Sequence, residues 1–202
     1  MDKKQYCTLF VARHGETMWN IKKLIQGHSD SPLTKAGVLQ AKDLAQELRH
    51  IKFDAFYSSD LLRAKRTAQL VALEHKLVVK TAQALRERRY GKLEGTNFEI
   101  INSLSEFERE TRNKEAEVEE TDVLIARFIT YLREISVANM GKNVFVMTHG
   151  GVLRHFLIHL GFCTKKQIAG GGIGNAAWMK LKSDGVDFFV EETKRIEIDL
   201  SL

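Results

Sequence analysis

The sequence predicts an α/β fold of three layers: a mostly parallel central sheet with at least one antiparallel strand, and helices on both faces. Three observations lead there. Short apolar runs alternate with amphipathic stretches along the whole chain, the pattern of strands and covering helices in one layered domain. Near the end, two such runs flank Ser183-Asp184-Gly185, a turn signal that makes them a hairpin and so an antiparallel pair. The chain has 202 residues, 44% hydrophobic and 28% charged, which suits a single domain with a substantial core.

In order along the chain, the runs at 8–12, 55–58, 77–80, 143–148, 176–182 and 186–191 read as strands. Between them, Thr34 is placed to cap a helix that buries Ala41, Leu44, Ala45 and Leu48. A second helix over 122–135 carries Leu124, Phe128, Tyr131, Leu132 and Ile135 at helical spacing. The single proline, Pro32, lies in SDSPLT between two helical stretches. Residues 96–120 are the least regular and are rich in charge, so they read as a small insertion or lid over the sheet edge of a domain spanning 1–202.

Composition excludes several classes. No apolar run approaches the length that spans a bilayer, and MDKKQYC lacks a signal-peptide core, so no membrane partner is expected. Cys7 and Cys163 make neither a metal pattern nor a disulfide framework, which points to a reducing, cytoplasmic setting. The net charge of +5 permits anionic partners. Basic residues are nevertheless scattered apart from Arg86, Arg88, Arg89 and Lys92, without interleaved aromatics, so a small anionic substrate fits better than nucleic acid. Oligomeric state has no signature here.

The chemistry gathers at strand ends. The run at 8–12 leads directly into Arg13-His14-Gly15, the run at 55–58 into Ser58-Ser59-Asp60 and LLRAKRTA, and the run at 143–148 into His149-Gly150-Gly151. Ligands of open parallel sheets bind beyond the carboxyl ends of the strands, so two histidines and an arginine converge there from independent strands. With Ser59 or Asp60 as cap, Arg63 falls in the first turn of its helix, where a cation opposes the helix dipole unless an anion lies between them. The glycines after both histidines let a ligand approach the backbone. Arg13, Arg63 and His149 could neutralise a phosphoryl group while a neutral His14 attacks it. A proton donor for the leaving oxygen is then needed; Glu87 in ALRERRYGKLEG is the best candidate and Asp60 the weaker one.

RHGETMWN, QGHSDSPLTKAG, SSDLLRAKRTA, LRERRYGKLEG and VMTHGGVLRH, in that order over residues 8 to about 160, closely resemble the histidine phosphatase superfamily, the phosphoglycerate-mutase-like clan. The resemblance implies a mostly parallel sheet flanked by helices and a nucleophile, His14, that becomes phosphohistidine. It implies a phosphate pocket of Arg13, Arg63 and His149, and Glu87 as general acid. Asn20, Gln26, Gly27, Arg89, Tyr90 and Gly150 match substrate-pocket positions, and neither metal nor other cofactor is expected.

Two departures bear on the reaction. Cofactor-dependent mutases of this clan carry a substrate-holding lysine where Phe98 stands, and paired arginines that the acidic segment after it lacks, so the resemblance favours hydrolysis over transfer. Many relatives have a glycine before a Glu-Ser or Glu-Thr pair, and Glu119 stands there. Within phosphatases, the acid-bearing block looks most like the fructose-2,6-bisphosphatase-like branch, and Arg88, Arg89, Lys92, Lys22 and Lys23 could meet a second anionic group or be ordinary surface charges. α-Ribazole phosphate, phosphoserine and other small monoesters remain alternatives.

Three further readings are open to the sequence. A catalytically silent phospho-ligand-binding protein on the same fold would lack the nucleophile or the acid, and both are present. His155 and His159, spaced i, i+4, lack the intervening glutamate and third ligand of a zinc site and read as an ordinary pair. AGGGIGN over 169–175 reads as a loop rather than a dinucleotide fingerprint.

Overall fold

The computed structural model describes residues 5–168, 172–199 and 201. Six strands form one sheet: β1 (Cys7–Arg13), β2 (Ala55–Ser59), β3 (Val79–Ala82), β4 (Asn143–Thr148), β5 (Ile173–Ser183) and β6 (Phe188–Ile196). Their order is β3-β2-β4-β1-β5-β6, with the first four parallel and β5 and β6 antiparallel to their neighbours. The helices are α1 (Met18–Ile21), α2 (Lys35–Leu48), α3 (Leu62–His75), α4 (Phe98–Asn102), α5 (Glu106–Glu115), α6 (Thr121–Ala138) and α7 (Gly150–His159).

Alternation along the strands builds the three layers. Leu9, Val11, Val144 and Val146 face α6 and α7, packing on Leu124, Phe128, Leu132 and Phe156. Phe10, Ala12, Phe145 and Met147 point the other way, onto Leu44, Leu48, Ala64 and Val71 of α2 and α3. Residues buried on both faces make the central strands continuous apolar runs, as parallel strands under two helical layers require.

Thr34 caps α2 as expected, its hydroxyl accepting the Gly37 N–H at 2.9 Å. The expected face of α6 is buried except at Tyr131, which is only partly covered.

Several boundaries differ from expectation, and two of the shifts have a hydrogen-bonding reason. β3 begins at Val79, not 77, because Lys76 ends α3 in the left-handed region and the Leu77 N–H is used on the Ala72 carbonyl. β6 begins at Phe188, not 186, because Asp184 Oδ1 takes the N–H groups of Val186 and Asp187 and removes them from the ladder. β5 starts at Ile173, inside the stretch read as a loop; 169–171 of that stretch lie outside the described residues.

Residues 96–120 hold α4 and α5 beside a small cluster of Leu93, Ile101, Ala116 and Val118. Among the described residues no helix is long and apolar enough to cross a membrane.

Candidate active site

The parallel strands finish side by side. Arg13 pairs with Thr148, Ser58 with Met147, and Ser59 with Ala82. The residues that follow therefore share one edge. His14, whose N–H bonds the Thr148 carbonyl at 3.2 Å, and His149 come to lie with ring centroids 5.2 Å apart.

His14 is 3% exposed, and its Nδ1 lies 2.7 Å from the Gly15 carbonyl. A carbonyl only accepts, so Nδ1 carries the proton and Nε2 keeps its lone pair in the neutral ring. Burial, then the charges of Arg63 and Arg13, hold its pKa well below the usual histidine value, so the ring is neutral at pH 7. His149 is fully buried at the cap of α7 without capping it through its side chain, and both its ring nitrogens lack partners among the described residues. Such unpaired groups are costly, about 1–3 kcal/mol each. Burial, then Arg63, also keeps this imidazole neutral.

Arg13 donates to the Ile173 carbonyl, and its buried Nε has no partner among the described residues. Its pKa is pulled to about 10, chiefly by burial, against the pull of Glu87. Arg63 is 1% exposed and donates to the carbonyls of Gly27 (2.7 Å) and Ser29 (2.8 Å) and to Asp30 Oδ1 (3.0 Å), with Nε free. Glu87 approaches from the segment after β3: its oxygens accept the N–H groups of Arg88 (2.9 Å) and of Gly151 in the first turn of α7 (3.0 Å). A Cβ on Gly151 would lie 2.6 Å from Glu87 Oε1.

The structure thus gathers Arg13, His14, Arg63, Glu87 and His149, one buried and one partly buried guanidinium around two neutral imidazoles with a carboxyl group beside them. That set can hold a phosphoryl dianion, attack it and protonate a leaving oxygen.

Three local expectations are corrected. α3 is preceded by Leu61, which has no side-chain cap, and the capping carboxylate is Asp30, accepting from the N–H groups of Leu62 (2.6 Å) and Arg63 (3.3 Å). Asp60 instead forms a two-point ion pair with Arg86 at 2.7 and 2.6 Å, which lowers its pKa and suits it poorly to donate a proton. The anion that offsets the Arg63 charge at the helix start is therefore part of the chain. Nor do the glycines after the histidines simply open space for a ligand. A Cβ on Gly15 would meet the Gly37 carbonyl at 2.4 Å, and one on Gly150 would meet Arg13 Nε at 3.1 Å.

The outer set is less uniform. Gln26 is buried with Oε1 unpaired, and Gly27 touches the centre through its carbonyl on Arg63. Gly150 lies against Arg13. The Tyr90 ring lies 5.7 Å from the Arg88 guanidinium, and burial, then Glu87, pushes its phenol up to about 12. Asn20 Oδ1 is taken by Thr17 in the cap of α1 and, at 3.4 Å, by Asn175. Arg89 is exposed, its guanidinium 3.8 Å from Glu117, outside the gathered group.

Sequence reasoning missed the supports. Glu94 accepts from His28, Ser29 and Tyr90 and so locks the 26–30 loop to the acid-bearing block. Arg127 and Glu119 bind that block from the other side. Arg154, three residues past Gly151, has a buried, unpaired Nε. None of these has a local signal, since most of the partners are distant in sequence. His159 is exposed, while burial, then Arg88 and Arg154, brings His155 down to about 4. Among the described residues no group of three or more His, Cys, Asp or Glu could hold a metal ion.

A family model described as "Histidine phosphatase superfamily (branch 1)" matches residues 9–195. A phosphoglycerate mutase-like protein of Arabidopsis thaliana is 38% identical over 158 residues, 74% of this chain and 69% of that protein. A broad-specificity phosphatase of Saccharomyces cerevisiae is 33% identical over 164 residues, 77% of this chain and 71% of its own. The crystal structure of a phosphoglycerate mutase from Bacillus anthracis superposes with a TM-score of 0.82 at 26% identity, covering 96% of this chain and 94% of that one.

Proposed function

Because the chain belongs to the histidine phosphatase superfamily, branch 1, we propose that it is a metal-independent phosphatase that hydrolyses a small phosphomonoester through a phosphohistidine on His14. One observation carries the reading. The Gly15 carbonyl fixes the Nδ1–H tautomer of a neutral His14, which leaves Nε2 as a nucleophile beside the buried Arg63 and the partly buried Arg13.

In the first step the Nε2 lone pair forms the N–P bond as the ester P–O bond breaks. The Glu87 proton goes to the leaving oxygen, which departs as an alcohol. The positive charge that develops on the ring is stabilised at Nδ1–H by the Gly15 carbonyl. Arg13, Arg63 and His149 hold the phosphoryl oxygens, and their unpaired N–H groups are donors a bound phosphoryl would use. In the second step Glu87, now a carboxylate, takes a proton from water as its oxygen bonds phosphorus. The N–P bond breaks, inorganic phosphate leaves, and Nε2 recovers its lone pair.

Transfer back to a second substrate hydroxyl is the other reading, favoured by the likeness to the two mutase-named proteins. Hydrolysis is preferred because Phe98, 37% exposed at the start of α4, stands where the mutase pattern has a substrate-holding lysine. The substrate class includes sugar bisphosphates. Lys23, Arg89 and Lys92 lend that choice little, since they are exposed and already face Glu99 or Glu117. Within a single domain, 96–120 is read as a small insertion beside the site, with α4, α5 and their own apolar cluster in support. A cytoplasmic setting accords with two free, buried cysteines.

The test is inorganic phosphate release from a panel of phosphomonoesters and sugar bisphosphates with chelator present. Release well above background from one compound is expected. Activity that appears only when a divalent metal is restored, or only phosphoryl transfer without release, would overturn the reading.

A further inference from the structure

The carboxylate of Glu87 is held by a segment without regular structure. After a 3₁₀ turn at Gln83–Leu85, residues 86–90 belong to no helix or strand, so their carbonyls have no ladder to pair with. One side chain supplies what is missing. Arg127, on α6, donates from Nη1 to the carbonyls of Ala84 (2.8 Å) and Arg86 (2.9 Å) and from Nη2 to that of Glu87 (2.9 Å). Its Nε and Nη2 also grip Glu119 Oε1 (2.7 Å) and Oε2 (3.0 Å). Those contacts occupy all five N–H groups of the guanidinium.

Glu119 ties down the segment's far end. Its N–H donates to the Arg89 carbonyl (2.8 Å), its Oε2 accepts the Arg89 N–H (3.1 Å), and its carbonyl accepts Arg88 Nε (2.6 Å). From the opposite side His28 Nε2 donates to the Glu87 carbonyl at 2.9 Å. The Arg127 and Glu119 side chains are 22% and 11% exposed, so the pair is largely shielded from solvent. Position 119 is also where the sequence departs from the glycine of many relatives, and its carboxylate is the one that grips the guanidinium.

We propose that Arg127 and Glu119 are a positioning pair for the proton donor, setting where the Glu87 carboxylate stands relative to the leaving oxygen. The proposal rests on the reading of Glu87 as general acid. Arg127 touches no reacting atom; it acts through the backbone of 84–89. Lysine cannot replace it, because an ammonium has three donors and no planar fork to span three carbonyls and a carboxylate.

The experiment compares kcat on an activated ester, p-nitrophenyl phosphate, and an unactivated alkyl ester, glycerol 2-phosphate. The enzymes are wild type, Arg127→Lys, Glu119→Gln, Glu87→Gln and the Glu87→Gln/Arg127→Lys double variant. A misplaced donor penalises the alkyl ester, whose leaving oxygen needs the proton, by up to about 100-fold, and spares the aryl ester. In the Glu87→Gln background Arg127→Lys should then add little, because the two act through one group. Glu119→Gln keeps a hydrogen-bond acceptor and should show a smaller loss with the same preference, which serves if Arg127→Lys folds poorly.

Equal losses on both esters, or effects of Arg127→Lys and Glu87→Gln that multiply, would reduce the pair to a structural brace and overturn the proposal. Glu87→Gln slowing both esters alike would instead remove Glu87 as the acid, and the proposal with it. That second failure is recognised from the single variant alone.

Discussion

Arg63 illustrates how a residue can be placed from sequence while its partner stays hidden. Its position in the first turn of α3 follows from the strand end and the helical pattern. The compensating anion, Asp30, comes from a loop 33 positions earlier and serves both as helix cap and as counter-ion. A guanidinium 1% exposed depends on that charge. Asp30→Asn should therefore destabilise the protein by about 1–3 kcal/mol, less than a fully buried pair because Asp30 is 24% exposed. Added inorganic phosphate should stabilise the variant more than it does the wild type, by supplying the missing anion. Urea unfolding with and without phosphate checks both, and a loss within the 0.2–1 kcal/mol or so of an exposed ion pair would contradict the account. His14, Arg13 and His149 were legible because their chemistry is tied to strand ends. Asp30, Glu94 and Arg127 were not, because nothing local marks a side chain whose partners come from other elements.

At the scale of elements, apolar runs located every strand and hydrogen-bond competition moved their ends. The start of β3 shifted because a helix terminus captured the next N–H, and the start of β6 because the Asp184 side chain did the same in the turn. Neither contest shows in hydrophobic pattern, which records burial and not where each backbone group is satisfied. Helix α2 was legible down to its cap, since Thr34 and its acceptor geometry are local. The close crossing of its first turn over the loop that follows β1 was not. A Cβ on Gly37 would lie 2.0 Å from the Glu16 carbonyl, so this glycine is needed for packing between segments far apart in sequence.

For the whole molecule, the parallel arrangement of β3, β2, β4 and β1 delivers His14, His149, Arg63 and Glu87 to one edge, and it also buries two imidazoles in neutral form. Their pKa values are lowered in the folded state, so the unfolded chain binds more protons below about pH 6.5. Stability from this source is complete above that pH and is lost as pH falls toward the folded-state values. At pH 5.5 each of His14 and His149 should cost on the order of 1 kcal/mol relative to pH 7.5. Denaturant unfolding at the two pH values measures it, and a stability that is flat or higher at pH 5.5 would contradict the burial of neutral rings. The central claim is covalent, and one measurement meets it directly: rapid quenching into alkali after mixing with a substrate radiolabelled at phosphorus, followed by mapping of the label. The account predicts an alkali-stable, acid-labile phosphoryl group on His14, absent from His14→Ala along with turnover. Steady hydrolysis with no label on His14, or substantial hydrolysis by His14→Ala, would contradict it.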